Sequence, residues 1–328
     1  MAALLIILGL GAAFALTALI GGGTSDADDT GTSTGPDTIT GSEGDDIISD
    51  ASYRTGFTTN LDDLVTEGEI TQTEADAVLT SIVFTQGAQE LATQGGDDLV
   101  LAGGGNDRID TGAGDDSAAG GAGDDRVRLG DGDDVYGSDS RTVTGPDDQL
   151  TVESDFSVFA PDAVTEGGND TVAGGAGDDF IADGFGANLL QGQQGRDVIV
   201  AVDQDALSPD TVDGGFGRDA LFVDQGDQVT GGAGADTITL DLFGADLTGY
   251  QPMTITDFVR GEDVLVLEGT PALLRAPAPV SPTDAPVDPV SVADVAGTAD
   301  AAVAINGVVV ALVKGGQGLA RADIRIST

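Results

Sequence analysis

Aspartate recurs at every ninth position between Thr93 and Gly137, at Asp98, Asp107, Asp116, Asp125 and Asp134. Glycine stands two places before each one, at Gly96, Gly105, Gly114, Gly123 and Gly132. The five blocks read TQGGDDLVL, AGGGNDRID, TGAGDDSAA, GGAGDDRVR and LGDGDDVYG without insertion, so glycine holds the fourth place and aspartate the sixth. Carboxylates at fixed spacing offer hard oxygen ligands to a cation. Glycine lets the backbone enter φ > 0 conformations and bring its carbonyls close to that cation. The eighth place carries Val100, Ile109, Ala118, Val127 and Tyr136. A period of nine matches neither a 3.6-residue helix nor a long alternating strand, so the element that positions the carboxylates is a tight turn joined to a very short strand. Such phasing of three residue classes argues against an acidic, Gly-rich disordered linker.

The same grammar appears elsewhere in the chain. GSEGDDIIS at 41–49 carries Gly44, Asp46 and Ile48, and a weaker block at 32–40 carries Gly35, Asp37 and Ile39. After Gly137 the phase is lost over 138–164, a stretch as long as three blocks, which allows a coil to continue there in degenerate form. It returns at 165–200 with Asp170, Asp179, Asn188 and Asp197 in the sixth place. A short spacer, Ala201 to Gln204, precedes a third run with Asp210, Asp219, Asp227 in a shortened block, and Asp236.

These blocks resemble the repeats-in-toxin (RTX), haemolysin-type nonapeptide GGxGxDxUx. The resemblance implies an all-β fold, a right-handed parallel β-roll that forms a calcium-binding solenoid, with several Ca²⁺ ions as cofactor. If two blocks make one coil, side chains two blocks apart fall in register, pairing Asp98 with Asp116, Asp116 with Asp134, and Asp107 with Asp125. The second run then pairs Asp179 with Asp197 and Asp170 with Asn188, and the third pairs Asp210 with Asp227 and Asp219 with Asp236. Asn188 keeps a carbonyl oxygen but lacks the charge, so a weaker ion is expected there. Together with Asp46, these are the expected metal ligands, forming roughly seven sites.

Composition narrows the remaining chemistry. The net charge is -45, and only nine of the 57 acidic residues are Glu. Asp favours turns and short-reach ligation over exposed helices. So negative a surface disfavours nucleic acid and anionic membranes as partners. The absence of His and Cys removes Zn or haem sites built on them, disulfides, Cys nucleophiles and a Ser-His-Asp triad. The single lysine, Lys314, leaves little room for a P-loop or a Schiff base. There is no EF-hand loop, and neighbouring Asp residues read better as ligands than as a glycosidase acid and base.

The flanks follow other rules. Residues 1–20, MAALLIILGLGAAFALTALI, carry no charge and match a bilayer span of about 20 residues. Residues 1–23 thus form a hydrophobic anchor or export segment, read as an uncleaved anchor, a cleaved signal or a buried core segment. Residues 24–49 form a linker and the first repeats, and 50–92 a helical insertion. In the latter Asn60 caps LDDLVTEGE, and Thr71 with Glu74 has capping-box spacing ahead of ADAVLTSIVF, through Val83. It either docks a partner or folds back over the end of the roll. The roll covers 93–248, with its insertion at 138–164. Residues 249–328 form a C-terminal β capping region with a Pro-rich loop at 276–289 and an Asn306-Gly307 hairpin turn. A loose type I secretion signal is implied there by the resemblance. The expected function is calcium binding by an exported or surface-associated structural or adhesive protein, not an enzyme, that folds on meeting extracellular calcium. Its partners would be calcium and a cell-surface or extracellular matrix ligand, with membrane attachment through residues 1–20. The alternative is a secreted calcium-dependent hydrolase or polysaccharide-modifying enzyme that uses the roll as scaffold.

Overall fold

Turns built on two glycines set the architecture. In the block at 111–119, Gly112 and Gly114 adopt φ of 100° and 135°, a region L side chains seldom enter. A Cβ on Gly112 would also run into the carbonyl of Gln94, and one on Gly114 into that of Gly96, each two blocks earlier. The chain therefore turns mainly where glycine stands, and short strands run between the turns. The computed structural model describes residues 37–40, 47–50, 58, 65–66, 71–73, 75, 83–85, 89–137, 141–144, 151–154, 168–203, 208–243, 247–274 and 288–327. The chain divides into two compact units, 1–189 and 190–328.

The first unit contains β1 (Asp37–Thr40), β2 (Ile47–Asp50), β3 (Val83–Thr85), β4 (Gln89–Ala92), β5 (Leu99–Gly104), β6 (Arg108–Ala113) and β7 (Ser117–Ala122). It continues with β8 (Arg126–Asp131), β9 (Val135–Gly137), β10 (Arg141–Thr144), β11 (Thr151–Ser154), β12 (Thr171–Ala176) and β13 (Phe180–Ala182). From β4 to β9, successive strands alternate between two parallel sheets, one ordered β1-β4-β6-β8-β12 and the other β3-β2-β5-β7-β9-β13. Two blocks make one coil, so Ile109 lies beside Val127 and Val100 beside Ala118. The eighth-place side chains Val100, Ile109, Ala118, Val127, Tyr136, Val172 and Ile181 are all buried. This is a parallel β-roll.

Three expectations need correction. Residues 138–164 do not continue the roll as a degenerate coil: β12 lies directly on β8, with Val172 beside Val127, and β13 on β9. Within the segment, β10 and β11 form an antiparallel ribbon of their own. Hydrogen bonding between coils needs matching turns rather than a multiple of nine, so the stack closes where the glycine turns resume. Val83, expected on a helix, begins β3, which pairs with the outer side of β2. Gln89–Ala92, also assigned to the insertion, is a strand of the roll between β1 and β6. Of the helical reading, an Ala75 N–H to Thr71 carbonyl bond of 3.0 Å is present, and most of the remainder lies outside the described residues.

The second unit opens with β14 (Leu189–Gly195), β15 (Val198–Ala201), β16 (Thr211–Gly217), β17 (Ala220–Val223), β18 (Gln228–Gly234) and β19 (Thr237–Asp241). Then follow β20 (Met253–Ile255), β21 (Val264–Glu268), a short helix Pro271–Leu274, β22 (Val290–Asp294), β23 (Ala301–Ile305), β24 (Val308–Val313) and β25 (Ile324–Ser327). Its sheets run β14-β16-β18-β20-β24-β23-β22 and β15-β17-β19-β21-β25. The roll ends in ordinary antiparallel pairing: β22, β23 and β24 form a meander whose tight turn has Asn306 and Gly307 at φ of 50° and 85°. That is the expected Asn-Gly turn with positive φ at both central residues.

Candidate metal centre

Each sixth-place residue follows a glycine turn and opens a strand, so its side chain is drawn inward beside the turn. From Asp98 to Asp236, all the described ones, Asn188 included, are at most 3% exposed. From Asp107 onward, one side-chain oxygen of most of them is fixed by the coil before it. Oδ1 of Asp116, Asp125 and Asp134 accepts the backbone N–H of Asp98, Asp107 and Asp116, each at 2.8 Å. The row crosses the insertion unbroken, because Asp125 N–H donates to Asp170 at 2.9 Å and Asp134 N–H to Asp179 at 3.0 Å. Asp170 N–H donates to Asn188 Oδ1 at 2.9 Å.

In the second unit Asp197, Asp210 and Asp219 donate in the same way to Asp219, Asp227 and Asp236, each at 2.9 Å. The pairs expected at 98/116, 116/134, 107/125, 170/188, 210/227 and 219/236 are thus neighbours. Asp46 lies outside the described residues.

The other carboxylate oxygen faces the turn. Oδ2 of Asp125, Asp134, Asp219 and Asp236 is buried and accepts no hydrogen bond. In the second unit, a Cβ built on Gly214 would come within 2.7 Å of Asp219 Oδ2, and one on Gly231 within 2.8 Å of Asp236 Oδ2. The first-place glycine thus leaves room where the carboxylate points. Burial, reinforced by like charges along the row, pushes Asp116 and Asp125 up to about 8. It pushes Asp219 and Asp227 up to about 7 and Asp134 to about 6. Buried, like-charged, acceptor-only oxygens beside glycine carbonyls are a donor set suited to a hard cation. Among the described residues no three acidic side chains converge into a cage of their own, so turn carbonyls would have to complete the shell.

Six stretches, at 32–49, 85–118, 110–139, 164–199, 208–229 and 223–242, match the RTX calcium-binding nonapeptide repeat (4 copies). This chain carries RTX calcium-binding repeats. RTX repeats bind Ca²⁺ at several sites, and calcium is the cofactor of this roll. No curated protein matches the chain.

The RTX grammar extends further than its Asp columns suggest. In FTQGAQELA at 84–92, Gly87 is fourth, Gln89 sixth and Leu91 eighth, and the matched stretch at 85–118 takes in all three of these places. Gln89 N–H donates to Asp107 Oδ1 at 2.7 Å, as a sixth-place residue does, and its buried carboxamide has no hydrogen-bond partner. At the other end FVRGEDVLV, 258–266, places Asp263 sixth, and Asp236 N–H donates to it at 3.1 Å. Reading for the sixth place without insisting on Asp, or beyond the regular spacing, would have found both.

A second row was not foreseen. Fifth-place side chains accept from the following coil, the opposite sense to the sixth: Asp97 from Asp115 N–H at 3.0 Å, and Asp115 from Asp133 N–H at 3.0 Å. Asp133 accepts from Asp178 at 2.8 Å, and Asn169 from Ala187 at 2.8 Å. These bonds are exposed and tie successive turns together.

Proposed function

We propose that the sixth-place residues Asp98, Asp107, Asp116, Asp125, Asp134, Asp170, Asp179, Asp197, Asp210, Asp219, Asp227 and Asp236 are calcium ligands, together with Asp46 by its place in the repeat. The ions they hold switch the chain from an unfolded to a folded state. The carrying observation is the row of buried carboxylates whose Oδ2 atoms, at Asp125, Asp134, Asp219 and Asp236, lack any donor. Burying a charge without a partner is costly beside the few apolar side chains each block buries, so a cation is needed to offset it. Extracellular calcium modules bind at about 10⁻⁴–10⁻³ M, which calcium outside a cell reaches and cytosolic calcium does not.

The physiological role is that of an exported or surface-associated protein, structural or adhesive rather than catalytic. RTX repeats are typical of extracellular proteins. A chain with no His and no Cys has few catalytic options. Residues 1–20 would supply export or membrane attachment, and residues 249–328 the capping region with a secretion signal. Residues 1–20 lie outside the described part of the chain, and among the described residues no helix is long and apolar enough to cross a membrane. Circular dichroism of the full chain in EGTA, then in excess Ca²⁺, tests the switch. A large gain of β signal with calcium is expected, and equal β content in both conditions overturns it.

A further inference from the structure

The block at 183–191, DGFGANLLQ, is unusual twice: Asn188 replaces the sixth-place aspartate, and Asp183 puts a carboxylate in the first place, which holds glycine at Gly120, Gly192, Gly214 and Gly231 and Thr93, Ala102, Thr111 and Leu129 in other blocks. The two departures are linked by geometry. In those glycine blocks a Cβ at the first place would meet the Oδ2 of the same block's sixth-place aspartate: Gly120 that of Asp125, and Gly192 that of Asp197. The first place therefore lies beside the sixth-place carboxylate of its own block.

Asn188 does not act there as a ligand would. Its Oδ1 is taken by the Asp170 N–H, and its Nδ2 donates to the carbonyls of Phe185 at 3.2 Å and Gly186 at 3.3 Å. Those are turn carbonyls of the kind a cation would draw on, so the amide substitutes for the ion on its own turn.

Asp183 supplies what Asn188 lost. It is 1% exposed, one of its oxygens accepts the Phe185 N–H at 3.3 Å, and it lies close enough to Asp170 to bear on the protonation of that carboxyl group. Tyr136, fully buried, donates its hydroxyl to Asp170 Oδ2 at 3.3 Å. Asp125, one coil from Asp170 and also 1% exposed, has an Oδ2 without a donor and acts on the same Tyr136 phenol as do Asp170 and Asp183. Two buried carboxyl groups this close require either a shared proton or a cation between them.

We infer that Asp183 is a calcium ligand that, with Asp170, holds an ion beside Tyr136, and that this relocated carboxylate replaces the one missing at Asn188. The inference rests on the calcium-binding reading of the repeats. The coil at Asn188 is then no weak link, because its charge has moved from the sixth place to the first.

The test uses the full chain, calcium counting by equilibrium dialysis, and Tb³⁺ luminescence excited through tyrosine. The chain has three tyrosines and no tryptophan, so Tyr136→Phe isolates the signal of this site. Asp183→Asn is expected to lose one ion, or to weaken one by roughly tenfold or more since ligand charge tunes such sites over decades, and to lose the Tyr136-sensitised emission. Tyr136→Phe should lose the emission and keep the ion count. Asp183→Gly with Asn188→Asp, which restores the pattern of the block at 192–200, should recover both. If Asp183→Asn fails to fold, that double variant decides: recovery of the count supports the site, and failure to recover it overturns the site. Unchanged count and emission in Asp183→Asn overturn it too, leaving a proton shared with Asp170. A wild-type chain that binds no calcium would instead overturn the underlying reading, an outcome distinct from either.

Discussion

The two units solve the same problem with different means. In the first, sixth-place partners lie two blocks apart, with a longer interval only across the insertion, and both the fifth and the sixth places form rows. In the second, the interval varies from pair to pair, and the fifth place changes character, with Arg196 and Arg218 where the first unit has Asp97, Asp115 and Asp133. The sixth-place bond survives the change of spacing across the insertion and those within the second unit, where arginines stand in the fifth place at Arg196 and Arg218. The buried contact at the turn is thus what the fold must conserve. Extra or missing residues are taken up elsewhere in the coil.

The units also differ in how they end. Both bury large aliphatic side chains along the roll, Leu99, Leu101, Ile109 and Leu129 in the first and Leu221, Ile238, Leu265 and Leu267 in the second, and the second closes with Val303, Ile305, Val310 and Val313 in an antiparallel meander. With each buried large aliphatic side chain worth about 1.5–3 kcal/mol and no repeat aspartate among its strands, that meander depends less on ions. Hydrogen exchange after EGTA treatment should sharpen this contrast most. Amides of residues 89–137 are expected to lose nearly all protection, while those of β22 to β24 keep theirs. Uniform loss throughout, or retention in the first unit, would erase the distinction.

Acidity offers a second and smaller lever. Asp116 and Asp125 rise from an ordinary 3.8 to about 8, and Asp219 and Asp227 to about 7. A carboxyl group whose value is higher in the folded state favours folding fully below 3.8, and that contribution is lost as pH climbs through the folded value. In EGTA, then, the chain should hold more β structure at pH 5 than at pH 8. Asp224 in the second unit also rises to about 8, so both units should give way over the same range. Protons would partly stand in for calcium. Circular dichroism across that range, with exchange to assign the units, measures it, and calcium-free β content that rises with pH would contradict the sign.

The smallest effect concerns one residue. Gln193 occupies the second place of its block at φ of 79°, where glycine is usual. Relieving that conformation with Gln193→Gly should stabilise the second unit by up to about 1 kcal/mol, less what the freer unfolded chain takes back. A midpoint shift in urea reads it, and a destabilisation would show that the Gln193 side chain contributes more than its backbone strain costs.

Much of this was legible from side-chain type and spacing alone. Asp116 announces its neighbours because one residue class repeats at one interval, and Asn306-Gly307 announces a hairpin through local turn chemistry. What stayed hidden depends on contacts between coils. The direct stacking of Val172 on Val127 cannot be read from an interval that happens to be a multiple of nine. Gln89 was masked because its block lacks the acid and adjoins a segment with helix-capping residues. The fifth-place row was invisible because Asp in that place looks the same in sequence whether it binds a cation or the neighbouring coil's backbone.

The segment at 138–164 has a wider meaning. It leaves after Gly137 and returns with the rows at Asp125–Asp170 and Asp134–Asp179 made as though nothing had intervened. A scaffold that re-joins across so long a foreign stretch can accept guest sequences between coils without renegotiating its interior. Such a chain can diversify in evolution by acquiring passengers at its margins, and the junction after Gly137 is a natural place to graft a displayed peptide.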